Sequence, residues 1–371
     1  MVSAAQQTLA WRIASQSEDL SGLTLSQAPL TQSLKPGEVL VELRAASLNY
    51  RDIVLATGTM GLKTAPNVVP GSDGAGMVIA TGSSDVDGSP FKPGDHVLTF
   101  IVPRTFPVAA RPELGPVADE TRTDMSHICA GLGHELDGTL ATYGVFDEGC
   151  LVKHGGVMTP AEAATLSCSG ITAWNALWGQ TNCRGLGEGE WLLVQGTGGV
   201  SVAALQFALA AGANVIAITS SEDKATRLRN LGAHHVINYR ETPDWGSVAR
   251  ALTPGGRGVD MVVDVAGNAT LEQSIRAVRI DGVVALAGMV GKAETVVPMM
   301  AALNASCAVR GVIYGTRLMM RDLVAFVEKH GVKPAVDEEV FGLEDAKAAF
   351  NKLREQRHFS KVIIQIPAQQ Q

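Results

Sequence analysis

The chain has 371 residues, of which 46% are hydrophobic and 18% charged, and its formal net charge is −7. That length and apolar content predict roughly two domains with sizeable cores and exclude a disordered chain. The acidic balance argues against a nucleic-acid partner, which needs a basic field for phosphates, and no run approaches the ~20 apolar residues of a membrane span.

The first twenty residues lack the continuous apolar stretch of a signal peptide. Five scattered cysteines (129, 150, 168, 183 and 307) show no tight pairing. A disulfide scaffold is therefore not expected, and a reducing, cytoplasmic compartment is. From Pro36 to Val152 the sequence reads as short strands and turns. Pro36-Gly37 precedes the run Val39 to Leu43, and Pro93-Gly94-Asp95 precedes Val97 to Phe100; both turn signals combine a fixed φ with a residue lacking Cβ. This half reads as β-barrel material. The stretch Ile101 to Asp137 carries four prolines and no strong periodicity. So long a loop suggests function, and it is expected to form part of a substrate wall, with Phe106 and Leu132 as apolar contacts.

At Thr159 the period changes. Thr159 is a candidate N-cap, Pro160 fits the first helical position, and Glu162 completes a capping box. Strands and helices then alternate. Strands are expected at Trp191–Gln195, Asn214–Thr219, His235–Asn238, Val259–Val265 and Gly282–Gly288, and helices at Val200–Ala211 and Glu222–Leu231. Such near-continuous apolar strands between helices predict a doubly wound parallel sheet covered on both faces. Beyond Arg310 the expected elements are helices Arg321–His330 and Leu343–Arg354 and a strand Lys361–Ile366.

The first strand of the α/β region runs into Gly196-Thr197-Gly198-Gly199-Val200-Ser201. Glycines at a strand–turn–helix junction let backbone approach a pyrophosphate, and the helix start offers N–H groups. Ser201 stands where the dinucleotide fingerprint has its third glycine, so a glycine turn without ligand is the competing reading. The second strand ends Ile218-Thr219-Ser220-Ser221 without an acid for a ribose 2′-hydroxyl. Hydroxyls on Ser220 and Ser221, with Lys224 one turn on, suit a 2′-phosphate, so the expected cofactor is NADPH. Glu222 and Asp223 are expected in the first turn of the helix.

Several segments together resemble the medium-chain dehydrogenase/reductase superfamily, and within it the zinc-free quinone-oxidoreductase-like and enoyl-reductase-like branch. They are Ala46 to Asp52, Pro70 to Gly76, Gly170 to Asn175, the glycine loop, Leu231-Gly232-Ala233 through Tyr239, and His358 to Lys361. The resemblance covers nearly the whole chain. It implies a fold of class α/β, with a GroES-like β-barrel catalytic domain over 1–158, completed by 310–371, and a Rossmann doubly wound parallel-sheet domain over 159–309. It also implies that Asn49 and Thr172 contact the nicotinamide end of the cofactor. Lys224 and Tyr239 are similar to residues that hold the 2′-phosphate. Val265, Ala266, Gly267, Gly288 and Met289 would line the nicotinamide, and Lys361 either reaches the cofactor or is solvated.

Zinc-dependent relatives place Cys at the position of Asn49, a His-Glu pair at Ser72-Asp73, and a third ligand near Cys168. Here only Cys168 matches, and a catalytic zinc site needs three protein ligands. No metal is expected. His127, Cys129, His134 and Glu135 form a loose cluster read as an ordinary surface loop, with metal binding as the alternative. Cys168 is read as a small buried residue rather than a reactive thiol.

The expected activity is NADPH-dependent, zinc-independent hydride transfer to an activated C=C bond (enone or enoyl thioester) or a quinone. The alternatives are a zinc-independent alcohol dehydrogenase or ketone reductase, and an NADPH-binding sensor or scaffold without turnover. Tyr50, beside Asn49, is the candidate proton donor or a packing surface, and Arg51 and Asp52 are expected to form a structural pair. The expected partner is a small-molecule substrate, with no nucleic acid and no membrane. A homodimer through the Rossmann sheet edge is possible, with Val296 to Leu303 at the interface or in the core.

Overall fold

The computed structural model describes residues 7–30, 33–82, 89–102, 131–180, 185–289, 291 and 296–369. In chain order the strands are β1 (Gln7–Ile13), β2 (Leu23–Pro29), β3 (Glu38–Leu48), β4 (Asp73–Thr81), β5 (His96–Thr99), β6 (Tyr143–Asp147) and β7 (Leu151–Lys153). There follow β8 (Trp191–Gln195), β9 (Asn214–Thr219), β10 (His235–Asn238), β11 (Val259–Asp264), β12 (Val278–Leu286), β13 (Ala308–Gly311), β14 (Val336–Gly342) and β15 (Lys361–Gln365).

The chain divides into two compact units. The first comprises Met1–Cys168, Thr316–Glu328 and Val336–Gln371, and the second Ser169–Gly315 and Lys329–Ala335. The first unit extends to residue 168 rather than 158 and resumes at 316 rather than 310. Helix Pro160–Ala164 packs on β3 and β4, and this keeps its turn with the first unit. The helix itself forms as its caps dictate: Thr159 and Glu162 exchange the reciprocal hydrogen bonds of a capping box, with Pro160 in the first turn.

In the first unit the sheet order is β14-β15-β3-β4-β5-β7, and β6 also pairs with β3. β3 is the hub. Its first half pairs with β6, and its second half pairs antiparallel with β15, Val362 opposite Leu48 and Ile363 opposite Ser47. On its other side Ser47 faces Asp73 of β4. The core gathers Val39, Val41 and Leu43 of β3 with Val362 and Ile364 of β15 and Phe350 of helix Ala346–Arg354. This is the β-rich unit expected of a GroES-like domain. Leu132 is buried in this core, so it belongs to the barrel's packing and not to a substrate wall. Phe106 lies outside the described residues.

The second unit is a parallel sheet of order β10-β9-β8-β11-β12-β13. Numbered from its own first strand, that is the 3-2-1-4-5-6 order of a Rossmann sheet. β8, β9 and β10 lie where their apolar runs predicted. The fifth strand starts earlier than expected, at Val278, and a sixth, β13, extends the edge. Among the described residues no helix is long and apolar enough to cross a membrane.

Candidate active site

In the second unit the expected cofactor residues converge on the carboxyl ends of the strands. Gly196 follows β8 with φ at +72°, and its N–H donates to Ile218 O at 2.8 Å. A Cβ built on Gly196 or Gly198 meets no atom within 4 Å. The space beside both glycines is therefore open, and at Gly196 the positive φ favours glycine. Thr197 is buried. Gly198 caps helix Gly199–Ala210, which carries Val200 and Ser201 in its first turn. The Ser201 hydroxyl donates to Gln195 O at 2.5 Å, closing the turn where the fingerprint has glycine.

At the end of β9, Ser221 caps helix Glu222–Asn230, its hydroxyl accepting from Lys224 N. That hydroxyl serves the helix rather than standing open for phosphate. Ser220 adjoins it, and Tyr239 N donates to Thr219 O at 3.0 Å, which brings the exposed Tyr239 beside the tip of β9. Thr219, Ser220 and Ser221 at that tip carry no carboxylate of their own. Glu222 turns to Arg229, at 2.5 Å.

Beyond β11, Val265, Ala266 and Gly267 form a loop organised by Asp264, a residue with 0% exposure. Asp264 Oδ1 accepts from Ala266 N at 3.0 Å, Gly267 N at 2.9 Å and Thr270 Oγ1 at 2.8 Å. Its Oδ2 accepts from Ser274 Oγ at 2.7 Å. Gln195 Nε2 donates to Ser274 Oγ at 2.7 Å. One carboxylate thus ties the end of β8 to the end of β11. Gly288 follows β12 so closely that a Cβ on it would lie 2.5 Å from Val265 O. Met289 beyond it is exposed. Thr172 is buried on helix Ile171–Trp178.

In the first unit, Asn49 caps helix Tyr50–Thr57, within a region that read as strands and turns. A start signal was present: Asp52 stands three residues after Asn49, and its Oδ2 accepts from Asn49 N at 2.7 Å. Tyr50 opens the helix with 53% exposure. Arg51 and Asp52 meet through Ser72, whose Oγ accepts from Arg51 Nη1 at 3.3 Å and donates to Asp52 Oδ1 at 3.2 Å. Arg51 also donates to Leu132 O at 2.8 Å. Burial pushes the Asp52 carboxyl up to about 6; Asp73 adds to this, and Arg51, the Asn49 N–H and Lys361 oppose it.

Lys361 is neither solvated nor reaching outward. It is 3% exposed, and Asp73 is 0% exposed. Its Nζ lies 3.1 Å from Asp73 Oδ2, donates to Leu48 O at 2.8 Å, and donates to Asn49 Oδ1. Ser47 Oγ adds a 2.9 Å bond to Asp73 Oδ2. Asp73 Oδ1 has no partner among the described residues. Burial first, then Asp73, pushes the Cys168 thiol far above its ordinary range, consistent with a non-reactive thiol. Among the described residues no three His, Cys, Asp or Glu side chains group as a metal site. His134 is buried and shares a 2.8 Å hydrogen bond with Lys63 O; His127 and Cys129 lie outside the described residues. Sequence reading missed the Asp264 network and the Lys361 pairing. No local pattern marks either, because the partners come from distant strands.

A family model described as alcohol dehydrogenase GroES-like domain matches residues 35–157, and one described as zinc-binding dehydrogenase matches residues 199–329. A zinc-type alcohol dehydrogenase-like protein of Schizosaccharomyces pombe is 39% identical over 356 residues, covering 94% of this chain and 97% of its own. An alcohol dehydrogenase of Geobacillus stearothermophilus is 28% identical over 337 residues, covering 90% and 93%. A crystal structure of an NAD-dependent alcohol dehydrogenase matches with TM-score 0.81 at 31% identity, covering 97% of this chain and 100% of that one. With both domains matched and this likeness running through almost the entire sequence, the chain belongs to the medium-chain dehydrogenase/reductase superfamily as an alcohol dehydrogenase-like oxidoreductase.

Proposed function

We propose that the chain is a zinc-independent, NADPH-dependent oxidoreductase that reduces an activated C=C bond or a quinone. The observation that carries this reading is the ammonium of Lys361, 3.1 Å from Asp73 Oδ2, among the positions where the resemblance implies zinc ligands in zinc-dependent members. The donor set does not fit zinc. Asn49 and Ser72 are neutral oxygen donors and Asp73 is already paired with a cation, which leaves Cys168 as one ligand of a zinc-favoured type, whereas a catalytic zinc takes three protein ligands drawn from thiolate, imidazole and carboxylate. No step here passes through a divalent metal.

The open glycine loop at Gly196 and Gly198 fits a dinucleotide pyrophosphate. Ser220, Lys224 and Tyr239 are proposed to hold the 2′-phosphate, and Asn49, Thr172, the loop Val265–Gly267, Gly288 and Met289 the nicotinamide end. When bound, NADPH supplies hydride to the β-carbon of a conjugated acceptor or to a quinone. The chain's part is orientation. Asp264 fixes the Val265–Gly267 backbone, and Lys361 fixes the Asn49 carboxamide. The Tyr50 hydroxyl, which has no hydrogen bond within the described residues, is proposed to deliver the proton. Tyr50→Phe should lower kcat by one to two orders of magnitude, as a rough scale for lost acid catalysis; an unchanged kcat assigns Tyr50 to packing.

The test is NADPH oxidation with an enone, a quinone and an aldehyde, with and without chelator. Turnover of the first two, insensitive to chelator, is expected. Turnover confined to the aldehyde would favour the alcohol dehydrogenase or ketone reductase reading, which the names of the relatives support. Tight NADPH binding without turnover would mean a sensor or scaffold. Lys224→Ala should raise KM for NADPH about tenfold or more, as expected for losing a phosphate contact, with little change for NADH. Equal effects would remove the 2′-phosphate argument.

Dimerisation through the Rossmann sheet edge is part of the same proposal. β13 is the edge strand, and Val296, Met299, Met300 and Leu303, which precede it in the chain, are exposed, while Val297 and Ala301 pack on the core. Sedimentation should give a dimer mass that Leu303→Glu converts to monomer; a monomeric wild type overturns this part.

A further inference from the structure

The electrostatics at Asp73 lead beyond the reaction type. An ammonium has three N–H donors and no acceptor. Lys361 directs them at Leu48 O, Asp73 Oδ2 and Asn49 Oδ1, which saturates the group. It is a compact point charge that fits where a branched guanidinium would need more acceptors. The fold delivers it there because β15 begins at Lys361 and pairs with the end of β3, opposite the side that carries Asp73. A divalent ion using Asp73 and Asn49 would have to displace this cation or sit against it.

We propose that the Lys361 ammonium is the resident cation of this site. It neutralises buried Asp73, holds the Asn49 carboxamide in one orientation, and excludes divalent metal. Lys361 is a positioning residue, since it acts on the nicotinamide end only through Asn49. The proposal deepens the zinc-independent reading and rests on it.

Three measurements on the full chain test it. Wild-type protein stripped with chelator, exposed to excess zinc and desalted should retain no stoichiometric zinc by elemental analysis. Lys361→Ala should melt about 10 °C lower, as expected for breaking a buried pair in a chain of this size. Added n-propylammonium should restore its melting temperature, and n-propanol should not. Lys361→Met should be less stable than the double variant Lys361→Met, Asp73→Asn, because the second change removes the stranded carboxylate charge. If Lys361→Ala does not fold, the comparison of Lys361→Met with the double variant still decides. If neither single variant folds, a double variant that folds supports the proposal, and one that does not overturns it.

Stoichiometric zinc on wild type, no selective amine rescue of a folded Lys361→Ala, or a double variant no more stable than Lys361→Met would each overturn it. The parent reading fails separately. Turnover confined to the aldehyde, or none at all, with zinc still excluded and amine rescue intact would sink the proposed reaction while leaving the cation assignment. Chelator-insensitive turnover without coupling between positions 73 and 361 would do the reverse.

Discussion

Each unit buries one carboxylate completely at its candidate site, and the two are satisfied in opposite ways. Asp264 is surrounded by neutral donors: two backbone N–H groups and the hydroxyls of Thr270 and Ser274. Asp73 receives one hydroxyl, from Ser47, and a full opposite charge from Lys361. Hydrogen bonds from neutral groups need only an acceptor of the right shape. An ion pair in a dry interior needs both charges, since either one alone is left without solvent or partner. The first arrangement is suited to holding a loop in place, and the second creates a fixed field.

Asparagine substitution separates the two. Asp73→Asn should be the most damaging, about 3–5 kcal/mol by chemical denaturation, because it strands the buried Lys361 ammonium. A loss under about 1 kcal/mol would mean that Lys361 finds other acceptors or water.

Next in size is Asp52, a third buried carboxyl with an intermediate environment. Its folded value of about 6 lies above its ordinary 3.8. An acid whose folded value is raised contributes stability that is fully present below the lower value and is lost as pH rises through the upper one. Asp52→Asn should therefore stabilise the chain at pH 8 by about 2–3 kcal/mol and change little near pH 4. The opposite order would show that pairing with Arg51 outweighs burial.

Asp264→Asn should have the smallest effect, about 1 kcal/mol. The remaining carbonyl can still accept from Ala266 and Gly267, and the hydroxyls of Thr270 and Ser274 can turn to accept from the amide. Asp264→Ala, measured alongside, should cost more and should also raise KM for the cofactor, since both loop ends lose their anchor. Equal effects of Asn and Ala would dissolve the contrast between the two carboxylates.

What the sequence revealed follows the same division. β8, β9 and β10 and helix Pro160–Ala164 were legible because apolar runs and caps are local signals. Helix Tyr50–Thr57 was hidden: it is short, and turn-rich segments surround its Asn49-x-x-Asp52 start. β13 was hidden because its four residues, Ala308–Gly311, are half exposed at an edge and carry no alternation. The glycine loop and the hydroxyl-rich end of β9 could be read directly, though Ser221 proved to cap a helix. The role of Lys361 could not be read, since its carboxylate partner lies 288 positions earlier in the chain, and only the pairing of β15 with β3 unites them.

That pairing also bears on how the chain is made. The second unit is nearly contiguous, whereas the first waits for β15, which supplies both the neighbour of β3 and the charge opposite Asp73. On the ribosome the order of assembly is therefore inverted: the later-encoded sheet can close while the earlier one still has a raw flank and an uncompensated acid. A holding chaperone would have its longest opportunity on the amino-terminal half, and a stop codon shortly before Lys361 would harm the barrel far more than the Rossmann sheet.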